Sequence, residues 1–376
     1  MTQAALALDT RTETEDLCER VRAVAKAKLA PAIDAIDKGE LYPEDALRAF
    51  GAEGAFGSHM PQNGEADLRP AIAAMSVIGE TCGATAFMAW CQDTLAWYVG
   101  NSQNAALRAQ WLGPVSSGTQ LGGTGLSNPM KTFFGIETIK LKGRKVDGGY
   151  IVKGALPWVS NLGPGHLFGT IFEREDARDS NGNGERVMFL ADCGDENIKL
   201  AACPPFLAMD GTGTYAVHIR DAFVPDRLIL AENAMPFVKR IRAGFVLLQA
   251  GMGLGVMRDC IAIMKELRPM LGHVNRFLDQ QPEDFERILA DAENEVMTLA
   301  ATPYDPSPAF WERVIRIRLQ LGEVSVATAH AAMLHAGARG YLRSHRAQRR
   351  LREAYFVAIV TPATKQLKKM LADGAQ

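Results

Sequence analysis

Asp147-Gly148-Gly149-Tyr150-Ile151-Val152-Lys153-Gly154-Ala155-Leu156-Pro157-Trp158-Val159-Ser160-Asn161 is the stretch that decides the fold. An Asp-Gly-Gly turn feeds β-branched and aromatic residues, which is the chemistry of a tight turn entering a strand. The same texture extends over residues 118–230, where Thr, Val, Ile and Phe alternate with polar residues and Asn181-Gly182-Asn183-Gly184 supplies another turn. Residues 136–141, 150–152, 167–172, 187–190 and 215–219 read as strands of one β domain.

On either side the period changes from two to that of a helix. From residue 14 to about 108, Leu17, Val21, Val24 and Leu29 recur at helical spacing, and Leu47 and Phe50 follow the start signal Tyr42-Pro43-Glu44-Asp45. Gly51, Gly54, Gly57 and Pro61 interrupt the pattern before a second helical run over 68–97. After residue 234 it returns over 285–298, 310–336 and 349–369. Helices, then strands, then helices, without alternating β-α units, argue against a doubly wound nucleotide-binding fold.

At 376 residues the chain is long enough for two or three domains. Its 47% hydrophobic and 22% charged residues suit a globular protein. With 41 Lys and Arg against 43 Asp and Glu there is no field to attract nucleic acid or an anionic membrane. The local basic run from Arg339 to Lys369 reads as a solvated helix face, with an anionic ligand or a subunit contact as the alternatives. Residues 243–264 are the most apolar, but Gln249, Arg258 and Asp259 interrupt them, which suits a core helix better than a membrane span. The beginning turns acidic at once and lacks the form of a secretory signal, so a cytoplasmic location is expected.

Two motifs attract notice and are set aside. Gly251-Met252-Gly253-Leu254-Gly255 is an incomplete dinucleotide fingerprint inside a helical run, where its glycines would let another helix approach. The six cysteines are scattered without metal spacing, and His330 and His335 are five apart rather than four, so reduced thiols and no metal site are expected.

The stretch from Gly149 to Asn161 resembles the Gly-Tyr-x-x-x-Gly-x-K-x-W-I-[ST]-N motif of the acyl-CoA dehydrogenases. The segment from Val21 to Pro31, with Ile36-Asp37-Lys38-Gly39 and Tyr42-Pro43, resembles the family's opening helices. Met209-Asp210-Gly211-Thr212-Gly213-Thr214-Tyr215 and Ile219-Arg220-Asp221 resemble the close of its β domain, and Gly337-Ala338-Arg339-Gly340-Tyr341 a later helical motif. The resemblance implies an α+β protein with an all-α N-terminal domain (1–117), a middle β-barrel domain (118–232) and a C-terminal four-helix bundle (233–376). It implies a flavin cofactor, FAD or alternatively FMN, with Trp158 against the ring and Ser160 hydrogen-bonding near N5. Thr124, Leu126, Ser127 and Val159 complete the implied cofactor set.

The departures are as informative. The family's catalytic Glu falls on Thr361, and its alternative position on Phe245; neither side chain can serve as a base near neutral pH. Glu353, a carboxylate close by in sequence, matches the family's structural acidic position, with a relocated base as the alternative reading. The Arg-x-x-Phe-Gly motif that holds the FAD pyrophosphate is replaced at residues 271–275, Leu334 replaces a Gln, and the segment from Thr124 to Met130 departs from Thr-Glu-Pro and Gly-Ser-Asp. Three functions stay open: a flavin oxidoreductase acting on an acyl-CoA thioester or related small molecule; a reduced-flavin monooxygenase or lyase that needs no base; and a non-catalytic subunit or scaffold. A homodimer or homotetramer is implied, with a flavin reductase or an electron-transfer flavoprotein as partner.

Overall fold

The computed structural model describes residues 3–60, 65–180 and 182–374, so the predicted breaker Pro61 and turn residue Asn181 lie outside the described residues. The first part is all helix: α1 (Gln3–Val24), α2 (Ile33–Asp37), α3 (Glu44–Ala52), α4 (Arg69–Thr81), α5 (Gly83–Asn101) and α6 (Ala105–Ser116). Glu44 and Asp45 sit in the first turn of α3, where carboxylates favour the positive end of the helix dipole. Helix α5 is buried on nearly every side, which explains why its sequence has almost no polar face.

The middle part holds β1 (Gly122–Thr124), α7 (Ser127–Phe133), β2 (Lys142–Val146), β3 (Gly149–Val159), β4 (Leu167–Arg178), β5 (Gly184–Asp192), β6 (Ile198–Ala202), β7 (Tyr215–Pro225) and β8 (Ile229–Ala231). They form one sheet in the order β6-β7-β3-β2-β4-β5-β8, with β1 parallel to β4. Four predicted strands lie inside β3, β4, β5 and β7. The fifth, at 136–141, is not a strand. Asn128 replaces the ladder there: its side chain donates to the Thr138 carbonyl at 2.9 Å and accepts the Lys140 N–H at 3.0 Å, while the Ile136 N–H returns to the Lys131 carbonyl. Backbone groups satisfied by a side chain have no need of a neighbouring strand.

The last part comprises α8 (Ala234–Leu247), α9 (Ala250–Asn275), α10 (Pro282–Ala300), α11 (Pro308–Ala336), α12 (Arg346–Ile359) and α13 (Thr364–Ala372), with α9 to α12 packed as a bundle. The predicted helix over 349–369 is two helices, broken where Pro362 removes an N–H and disfavours helical geometry at Thr361. The span Ala234–Asn275 is long and apolar enough to cross a membrane by composition, but its most apolar window is 83% buried inside the protein.

The glycines of α9 act through space. A Cβ on Gly255 would lie 2.5 Å from the Ser76 carbonyl oxygen and 2.6 Å from Gly79 Cα, and one on Gly251 would lie 2.7 Å from Met75 Cβ, so both admit α4. Gly253 faces the other way, towards Ser325 of α11.

The basic run does not form only a solvated face, because Arg349 and Arg350 turn inward. Arg350 donates to Asp259 Oδ2 at 2.5 Å, to Glu353 Oε2 at 2.7 Å and to the carbonyls of Gly79 and Glu80. Arg349 reaches Glu353 Oε1 at 2.9 Å and the Thr81 carbonyl, and Glu353 accepts the Gly83 N–H at 3.0 Å. Two cations therefore cover the last carbonyls of α4 while a carboxylate covers the first turn of α5, each placed as its helix dipole favours.

A second buried pair is neutral. His59 Nε2 lies 3.0 Å from the Asp93 carbonyl, which only accepts, so Nε2 carries the hydrogen and Nδ1 turns a lone pair towards Asp93 Oδ1 at 3.6 Å. Burial pushes the Asp93 carboxyl well up and the His59 imidazole down to about 4, so neither group is charged at neutral pH.

Two outcomes are expected in thermal unfolding. Gly255→Ala should cost about 1–3 kcal/mol by forcing α4 and α9 apart. Asp93 holds its proton in the fold but loses it at about pH 4 when unfolded, so its contribution to stability falls as pH rises from there. Asp93→Asn should therefore gain stability relative to the parent as pH rises from about 4 to 8, whereas a constant difference would contradict the neutral pair.

Candidate functional site

Trp158 and Ser160 flank Val159 at the end of β3, with Val159 turned into the core and Trp158 turned out, its side chain 57% exposed. The next residue fixes them. Asn161 adopts φ +62°, a conformation Asn tolerates, and its buried side chain donates to the Gly122 carbonyl at 2.6 Å and accepts the Tyr42 hydroxyl at 2.7 Å. Ser160 Oγ lies 2.6 Å from Thr214 Oγ1, and Thr214 lies 2.8 Å from Thr212 Oγ1.

The segment after β1 faces this strand. Thr124 Oγ1 lies 2.8 Å from the buried Tyr98 hydroxyl and accepts the Leu126 N–H at 3.3 Å, and Leu126 itself is buried. A small cleft brings Ser127, Trp158 and Val159 together with Lys131, Glu137 and Lys140. Thr124, Leu126 and Ser160 do not line it. Its enclosed volume is about 20 Å³, that of one water, so a planar ring would lie against the open indole face rather than inside a chamber. A larger groove of about 500 Å³ between α5, β8 and α8 contains none of the predicted residues.

The two implied base positions are both structural. Phe245 is buried, its ring 5.2 Å from that of Trp90, and Trp90 donates to the Phe245 carbonyl. Phe87 and Phe356 extend the same aromatic cluster. Thr361, between α12 and α13, meets Ser127 with 2.9 Å between their hydroxyl oxygens. Thus a predicted cofactor residue and a base position do come together across two domains.

Behind Thr361 stands a relay that the sequence reading missed. Gln249, at the joint of α8 and α9, donates to the Thr361 carbonyl at 2.8 Å and accepts from Arg318 Nε at 2.6 Å. Arg318 also donates to the Val357 carbonyl at 2.6 Å, and burial lowers its guanidinium to about 10, leaving it charged. The available signal was a Gln and an Arg in otherwise apolar helical runs. Glu353, by contrast, is held below its usual carboxylate range by Arg349 and Arg350 despite its burial, and its acceptor sites are filled.

The structure offers an open aromatic face and adjacent hydroxyls of the kind a flavin ring uses. It offers little for an adenosine diphosphate tail. Leu334 is half-exposed, Val274 likewise, and Asn275 is buried with its amide on the His335 carbonyl. Among the described residues no three His, Cys, Asp or Glu side chains gather as a metal site.

This helical, β, helical architecture is the acyl-CoA dehydrogenase fold. Residues 11–119 match the family model described as acyl-CoA dehydrogenase, N-terminal domain. The chain is similar to the protein named "Probable acyl-CoA dehydrogenase YngJ" of Bacillus subtilis, at 20% identity over 92% of this chain and 93% of the relative. It superimposes on the butyryl-CoA dehydrogenase of Megasphaera elsdenii with a TM-score of 0.83 at 18% identity, covering 96% and 97% of the two chains. The structure of the FAD complex of PigA aligns with a TM-score of 0.80 at 12% identity, covering 96% and 97%.

If Glu353 served as a displaced base, Glu353→Gln would abolish turnover in a folded protein. A structural role predicts instead a loss of about 3–5 kcal/mol in chemical unfolding, because two buried guanidinium groups lose charge compensation.

Proposed function

We propose that the chain is a flavin-dependent oxidoreductase of acyl-CoA dehydrogenase type whose chemistry uses no carboxylate at the family's usual base positions. One observation carries this reading: Trp158 presents an exposed indole face beside Ser127 and Val159, while Thr361 and Phe245 occupy the base positions. Trp158 would pack on the ring, Ser160 would hydrogen-bond near its N5 edge, and the backbone around Thr124 and Leu126 would hold its pyrimidine edge. Val159 and Leu126 act through backbone, since their side chains are buried. A bound flavin supplies hydride acceptance or oxygen activation. The protein supplies position and a hydroxyl pair at Ser127 and Thr361.

The FAD complex on this fold supports flavin binding, and the poor adenosine diphosphate contacts favour FMN as an alternative to FAD. An acyl-CoA thioester is the first substrate class to test, given the acyl-CoA relatives. The second reading, a reduced-flavin monooxygenase served by a separate reductase, rests on the absent base. A homo-oligomer in the cytoplasm, with an electron-transfer flavoprotein or a flavin reductase as partner, completes the proposal.

The test is the absorption spectrum of the purified protein, followed by anaerobic addition of acyl-CoA thioesters. Bleaching identifies a dehydrogenase; no bleaching, with oxygen-dependent turnover once NADH and a flavin reductase are added, identifies the monooxygenase. Trp158→Ala should weaken flavin binding about tenfold by removing the stacking surface, and unchanged flavin content would overturn the ring contact.

A further inference from the structure

Resting on the flavin reading above, we infer that the site is built for reduced flavin, because Thr214 and Thr212 turn Ser160 into a hydrogen-bond acceptor. The argument is a count of hydrogens. Three close oxygen–oxygen contacts run in series: Ser160 Oγ to Thr214 Oγ1 at 2.6 Å, Thr214 Oγ1 to Thr212 Oγ1 at 2.8 Å, and Thr212 Oγ1 to the Met209 carbonyl oxygen at 2.6 Å. Contacts this short between oxygens each require a hydrogen. Each hydroxyl owns one, and the last acceptor, a carbonyl, owns none.

The direction of every bond follows. Thr212 donates to Met209, so it accepts from Thr214. Thr214 has then spent its hydrogen and accepts from Ser160. The free side of Ser160 Oγ therefore carries lone pairs.

Oxidised flavin has a lone pair at N5, and reduced flavin has an N–H there. An accepting Ser160 opposes the first and pairs with the second. To donate to oxidised N5, Ser160 would have to withdraw its hydrogen from Thr214 Oγ1 and leave that oxygen without the bond it accepts. The end of the series is held firmly: Met209 has φ +72°, and the Thr212 N–H also returns to its carbonyl. Thr212 and Thr214 are thus positioning residues that act on the ring through Ser160.

The experiment is anaerobic titration of the apoprotein with oxidised FMN and with chemically reduced FMN, for the parent, Thr214→Val and Thr214→Ser. The parent should bind reduced FMN more tightly. Thr214→Val frees the Ser160 hydrogen for N5 and should shrink the ratio of affinities roughly five- to tenfold. A tenfold change corresponds to about 30 mV in the midpoint potential of bound flavin, which gives an independent readout. Thr214→Ser keeps the hydroxyl and should keep the parent ratio, which guards against a merely structural effect of the valine. Flavin bound equally well in both redox states by the parent, or a ratio unmoved in Thr214→Val, overturns the inference and leaves the flavin reading standing. Failure of the parent to bind either form overturns both.

Discussion

Arg349, Arg350 and Glu353 join α12 to the end of α4 and the start of α5, and so anchor the helix whose far end leads to Thr361. The charges are buried, where an unpaired ion would be costly, so each must find its partners at one register of α12. A one-residue shift would carry both guanidinium groups away from the α4 carbonyls. The N-terminal helical layer and the C-terminal bundle are therefore fastened here by buried directional bonds, elsewhere by bonds such as Trp90 to the Phe245 carbonyl and Trp97 to the Ile241 carbonyl, and by the glycine contact between α4 and α9. Directional bonds set the register; the glycines set the spacing.

The far end of α12 is held from α11 and from the joint of α8 and α9. Arg318 holds the carbonyls of Val357 and Val360, and through Gln249 the carbonyl of Thr361. The loop that would carry a catalytic carboxylate elsewhere is here secured through its backbone. Its identity as a loop does not depend on what side chain stands at 361. A threonine in that position meets Ser127 as an equal partner, and the contact links the bundle to the β domain.

Much of the fold was legible because periodicity is a local property. The Asp147-Gly148 turn, the strands through Tyr150, Leu167, Val187 and Tyr215, and the helix containing Leu254 were each written in spacing and turn chemistry. What escaped was written in single side chains acting at a distance. Asn128 cancels an apparent strand at 136–141, and nothing in alternation reveals that. Arg349 and Arg350 look like any exposed basic pair until Asp259 and the α4 carbonyls are brought to them. At the site, Trp158 and Ser160 could be named from a motif, and Thr361 and Phe245 from what is missing. The Thr212 and Thr214 hydroxyls, Gln249 and Arg318 could not, because their roles exist only as contacts between segments far apart in the chain.

Of the five tryptophans, Trp90, Trp97 and Trp311 are buried and Trp111 is half-buried, which leaves Trp158 as the one indole open to solvent. A solvent-facing indole emits at longer wavelength than a buried one, so the red edge of the protein's fluorescence belongs chiefly to the residue at the proposed ring contact. The molecule carries its own optical gauge of occupancy, readable without any label and for ligands that have no colour of their own.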